Sequence, residues 1–172
     1  KCPHDPNEEM GKYGLTVNNF CIAVPSNEPR CTSCHAGYGF KDKNFDFTKA
    51  ENIDCLVCHD RTGTYKKFPA GAGNPVKEEK VFKGNGKTYY PPDWNKVAQS
   101  VGRPTRANCG ECHFKGGGGD GVKHGDLDTS LLKPDKALDV HMDAEGANFD
   151  CVRCHTTLGH SIAGRCYKHP AT

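Results

Sequence analysis

The sequence predicts a mostly irregular chain with short α-helices and one β-hairpin, in which bound prosthetic groups rather than side chains form the core. Three observations lead there. The pentapeptide Cys-x-x-Cys-His occurs four times, at Cys31-Thr32-Ser33-Cys34-His35, Cys55-Leu56-Val57-Cys58-His59, Cys109-Gly110-Glu111-Cys112-His113 and Cys151-Val152-Arg153-Cys154-His155. Hydrophobic residues make up only 35 % of the 172 residues, too few for a chain of this length to bury an ordinary core. Twenty glycines and eleven prolines interrupt any long regular element.

The repeated pentapeptide is the attachment signature of a c-type haem. Two thiols one helical turn apart form thioethers to the two vinyl groups of one porphyrin, and the following histidine reaches the iron. The thioether residues are therefore Cys31, Cys34, Cys55, Cys58, Cys109, Cys112, Cys151 and Cys154, with His35, His59, His113 and His155 as proximal ligands. A zinc site would need four converging N or S ligands but no histidine directly after each second cysteine. A thioredoxin-like pair would need a βαβ context, which no motif has. The expected fold class is thus a multihaem c-type cytochrome with four covalently attached haem c groups. At about 43 residues per haem, four separate packed domains are excluded. Residues 1–172 are expected to form a single tetrahaem domain.

Along the chain, residues 1–30 read as an extended N-terminal segment containing Cys2, His4 and Cys21. Asn52-Ile53-Asp54-Cys55 rhymes with Asn148-Phe149-Asp150-Cys151, and Asn108-Cys109 echoes both. Asp54 and Asp150 stand where an N-cap would start the short helix presenting the thiols. Val81-Phe82 and Thr88-Tyr89-Tyr90, flanking Gly84-Asn85-Gly86, predict the hairpin. Pro92 opens an amphipathic helix whose face is Trp94, Val97, Ala98 and Val101, ended by Gly102 and Pro104 and packed against a porphyrin. The run Gly116 to Gly119 lacks the lysine and hydroxyl of a phosphate loop and suits close backbone approach or flexibility. Residues 166–172 form a C-terminal tail.

Nine histidines leave five beyond the proximal set: His4, His124, His141, His160 and His169. Each is a candidate distal ligand, and only Met10 and Met142 offer thioethers instead. Bis-histidine iron has no open position and carries electrons without binding substrate. His4 and His169 lie near the chain ends, where a histidine could ligate a neighbouring copy and build a head-to-tail filament. Among Cys2, Cys21 and Cys166 two are expected to pair in an oxidising compartment, with connectivity open.

The formal charge of +2 becomes roughly −2 to −6 once haem propionates and iron are counted. With no basic run longer than Lys66-Lys67, no nucleic-acid partner is expected. No stretch has the length of a membrane span. A start at Lys1 is what a processed mature chain would show. The expected location is outside the cytoplasmic membrane, periplasmic or extracellular, in a prokaryote.

The stretches Asn18–His35, Glu51–Asp60 and Gly116–Asp128 resemble the octahaem tetrathionate reductases, over about residues 15–165 and matching an internal part of those larger enzymes. That resemblance implies shared haem packing. It also implies a reductase for tetrathionate, nitrite or hydroxylamine, acting at a lysine-ligated haem with a nearby cysteine. Cys21 matches the family's cysteine position, and Lys123 beside His124 is the candidate lysine. The chain departs from the family in having four motifs and enough histidines for four irons. It is also similar, in size and haem count alone, to tetrahaem subunits of extracellular cytochrome filaments. The expected function is electron transfer rather than catalysis, with copies of itself, other redox cytochromes or extracellular electron acceptors as partners. A small reductase with one open or lysine-ligated haem is the alternative.

Overall fold

The computed structural model describes residues 37–38, 49–69, 71–115, 119–122 and 127–162. The first pentapeptide, the glycines 116–118, and Cys2, His4, Cys21, Lys123, His124, Cys166 and His169 lie outside the described residues. Regular structure is sparse. Helices α1 (Leu56–His59), α2 (Trp94–Gln99), α3 (Arg106–His113) and α4 (Cys151–Cys154) are joined by loops and by 3-10 turns at Ala50–Asn52 and Thr129–Leu132. Strands β1 (Lys80–Phe82) and β2 (Lys87–Tyr89) form the expected hairpin, with Val81 opposite Thr88. Strands β3 (Thr157–Leu158) and β4 (Ser161–Ile162) form a second, smaller one.

Few apolar side chains are buried, as the composition requires. Among the described residues these are Tyr65, Phe68, Ala72, Val76, Val97 and Phe114. Phe68 receives the edges of Phe82 and Tyr89 at ring-centre separations of 5.7 and 5.3 Å, which seats the first hairpin on the 65–76 loop. Phe114, directly after α3, folds its ring under Gly110; a Cβ at Gly110 would meet that ring at 2.2 Å. The second position of the third pentapeptide is therefore closed to any side chain. Large apolar residues elsewhere, among them Trp94, Leu132, Leu138 and Val140, stand about half exposed.

Helix α2 is shorter than the sequence suggests. Asp93, not Pro92, caps it by accepting from the Lys96 N–H at 3.2 Å, and it ends at Gln99. Only Val97 of the expected face is buried, while Trp94 and Val101 are exposed. The residues beyond Gln99 leave the helix because the Gly102 N–H donates to His59 O at 3.0 Å.

The 54–67 region is held by polar groups instead of oil. Asp54 is 1 % exposed and accepts from Leu56 N–H (3.1 Å), Val57 N–H (3.3 Å) and the Tyr65 hydroxyl (2.9 Å). The Lys67 ammonium lies 3.1 Å from its carboxylate, also buried, and donates to Gly37 O at 2.9 Å. Tyr38 joins through its hydroxyl, 3.0 Å from that of Tyr65. Burial pushes both tyrosines above their ordinary pKa and pulls Lys67 below it, against the opposing attraction of Asp54. Removing one partner strands a buried charge. Asp54→Ala is expected to lower stability by about 3–5 kcal/mol, read from denaturant unfolding of the haem-loaded protein, and Tyr65→Phe by about 1 kcal/mol.

Candidate haem-attachment site

Each described pentapeptide lies on a helical turn, opening α1 and α4 and closing α3, and that places its thiols one turn apart. In α1 the Cys58 and His59 N–H groups donate to Cys55 O at 3.2 and 3.0 Å. In α3 the Cys109 N–H donates to Thr105 O at 3.2 Å, and Asn108 Oδ1 accepts from both the N–H and hydroxyl of Thr105. In α4 the His155 N–H donates to Cys151 O at 2.9 Å. Such a turn would let two thiols hold one macrocycle covalently while the histidine that follows them supplies an iron ligand.

Asp54 acts as the sequence suggests, bonding the first N–H groups of α1. Asp150 does not. It occupies the N-cap position of α4 but makes no side-chain bond to that helix. Its carboxylate instead accepts from the Arg106 N–H at 3.1 Å, so it caps α3. The reason is proximity: Arg106 is drawn onto the 142–150 segment by its side chain. Its Nη1 donates to Met142 O at 2.7 Å, Nη2 donates to Asn148 Oδ1, and Nε lies 3.8 Å from Asp150. Asn108 makes a parallel link backwards, its Nδ2 donating to Asp60 O (2.7 Å) and Val57 O (3.4 Å) at the end of α1. The second, third and fourth pentapeptides are thus laced together by the residues just before their first cysteines.

The histidines are poised differently. His59 Nδ1 donates to Gly102 O at 2.8 Å, which fixes the tautomer and leaves Nε2 as the unprotonated ring nitrogen, the one able to ligate a metal. Facing it is His160, with ring centres 6.3 Å apart and planes at 79°. His160 sits in the β3–β4 turn after Gly159, both at positive φ (+63° and +55°), the conformation of a tight two-residue hairpin loop. Burial and then the charge of His155 hold His113 below its usual pKa. The nearby Cys151 thiol and burial push the Cys109 thiol up, while Cys109 pulls that of Cys151 down to about 6. His141 is mostly exposed, stacked on Phe149 at 6.2 Å and 3.8 Å from Asp139.

Sequence reasoning named the cysteines and histidines but missed Gly102, Asn108 and Arg106 as the groups bonded around the described ones. The Asn-x-Asp-Cys rhyme pointed to Asn148 and Asp150 without revealing that they serve the preceding helix. No sequence signal marks Arg106.

No family model matches the chain. It is similar to octaheme cytochrome c from Shewanella oneidensis in its crystal structure, with 55 % identity and a TM-score of 0.66, over 87 % of this chain and 30 % of that one. It is also 30 % identical over 141 residues to an uncharacterised protein of Archaeoglobus fulgidus, covering 77 % of this chain and 46 % of that protein. The chain thus spans less than half the length of either. At the coarse level the likeness is to a multihaem cytochrome. The sparse helices and short two-stranded sheets are compatible with that class. No helix among the described residues is long and apolar enough to cross a membrane.

Asp60, next to His59, supplies a pH test of this architecture. Burial would raise its pKa, but the Thr62 N–H and hydroxyl (3.0 and 2.7 Å) and the Tyr65 N–H (3.2 Å) outweigh that and hold it below the usual carboxylate value. A lowered folded pKa gives stability that is full above the unfolded value of about 4 and is lost as pH falls through the folded one. Asp60→Asn is therefore expected to be less stable than the parent at about pH 6, with the gap narrowing towards about pH 3. Unfolding midpoints at the two pH values check it.

Proposed function

We propose that this chain is an exported, single-domain c-type cytochrome that carries four haems and transfers electrons. The observation that carries the reading is the His59–His160 pair. Two imidazoles bound about 2.0 Å either side of one metal ion have ring centres roughly 6 Å apart, and these stand at 6.3 Å, with His59 already oriented through Nδ1. His160 keeps this place at a backbone angle that few non-glycine residues adopt, a strain that functional positions tolerate. The similarity to octaheme cytochrome c supports the same class. The half-exposed Trp94, Leu132, Leu138 and Val140 offer the apolar surface that a porphyrin face covers.

On this reading Cys55 and Cys58 would hold one haem, with His59 and His160 as the residues that would ligate its iron. Cys109 and Cys112 with His113, and Cys151 and Cys154 with His155, hold two more. Cys31, Cys34 and His35 hold the fourth, and His4, His124, His141 and His169 supply the remaining distal candidates. When bound, haem supplies a one-electron iron couple. The chain's own residues fix where each group sits: Gly102 orients His59, and Asn108, Arg106 and Asp150 join the attachment helices. A finer part of the proposal is head-to-tail assembly into a filament through His4 or His169, supported by five spare histidines for four irons. Its partners would then be further copies, with other cytochromes or extracellular acceptors downstream. The reductase alternative rests on Cys21 and Lys123, which lie outside the described residues.

Mass spectrometry of the haem-loaded protein is expected to show four covalent haems, and its ferric spectrum to be wholly low-spin. His160→Gly removes the imidazole while suiting the positive φ. One haem should then turn high-spin and bind carbon monoxide; an entirely low-spin variant would refute the pairing. Electron microscopy of the native material, with haem staining of the same sample, tests the filament.

A further inference from the structure

We propose that Arg106 is a positioning residue: it sets the separation of the third and fourth attachment sites and thereby how strongly their two haems interact. The inference rests on the haem reading above and goes beyond it in naming what fixes one inter-site distance.

Arg106 is the first residue of α3, three positions before Cys109, and is 8 % exposed. The hydrogen bonds donated by its main chain and its guanidinium run to one place, the segment leading into Cys151. The N–H reaches Asp150, Nη1 reaches Met142 O and Nη2 reaches Asn148 Oδ1. A guanidinium is a rigid planar fork, so acceptors at fixed angles define the position of one segment against the other. The acceptors are themselves fixed. The Asn148 N–H donates to Asp143 O at 3.0 Å and the Phe149 N–H to His141 O at 2.9 Å, and Asn148 holds a φ of +51°. This turn cannot slide along α3 without breaking them.

Positioning and charge are separable. Arg106→Lys keeps the positive charge but loses the fork; Arg106→Gln loses both. Asn148→Gly removes a single acceptor and relieves the positive φ, so it folds even where a substitution at Arg106 does not. The test uses the haem-loaded full chain. Mass spectrometry of the haem peptides first counts the groups at Cys109–Cys112 and Cys151–Cys154. Electron paramagnetic resonance and a redox titration then follow the ferric spin–spin interaction and the midpoint potentials. With haem content unchanged, Arg106→Gln and Asn148→Gly are expected to lose the interaction signal of this pair and to shift at least one potential, and Arg106→Lys not to restore the signal. An unchanged signal in Arg106→Gln or Asn148→Gly, or full restoration by lysine, would overturn the positioning role. Parent protein lacking haem at either motif would instead overturn the haem reading, and this inference with it.

Discussion

A helix of one turn cannot hold itself together. The α1 and α4 segments are four residues long, far below the roughly 12–15 at which an isolated helix becomes marginal. Their geometry therefore has to come from outside. In this chain it comes chiefly from the residue preceding each first cysteine. Asp54 closes the first turn of its own helix, Asn108 ties α3 to the end of α1, and Asp150 ties the entrance of α4 to the start of α3. The placement of the thiols and of the histidines that follow them depends on these three side chains.

Polar contacts can bear that burden because so little else competes. With few apolar side chains buried, the buried Asp54–Lys67 pair and its two tyrosines do much of the work of specifying how the 54–67 loop lies on the 37–38 segment. A buried ion pair adds little net stability over an apolar pair of the same shape, but it tolerates few alternative arrangements. That trade suits a scaffold whose task is to fix distances. The fork of Arg106 and the Nδ1 bond of His59 belong to the same strategy.

Much of this was legible in the sequence, for local reasons. The Cys-x-x-Cys-His spacing carries its chemistry within five residues, and the 80–90 hairpin carries its turn residues between two strands; both were read from neighbours in the chain. Asp54 was legible as a cap because it acts on the helix that follows it. Asp150 looked identical and acts 44 residues upstream, on Arg106. Helix α2 was overextended because the pull of His59 O on Gly102 is a tertiary contact without a sequence signature. The second hairpin was missed for want of length: two-residue strands leave no alternation to read, although Gly159 marks the turn.

The influence of the Cys109 and Cys151 thiols on each other's ionisation bears on the order of events in biogenesis. On the haem reading each sulfur ends in a thioether, whereas two neighbouring free thiols in an oxidising compartment are open to exchange and oxidation. Capture of both cysteines before α3 and α4 dock would keep both sulfurs for their haems.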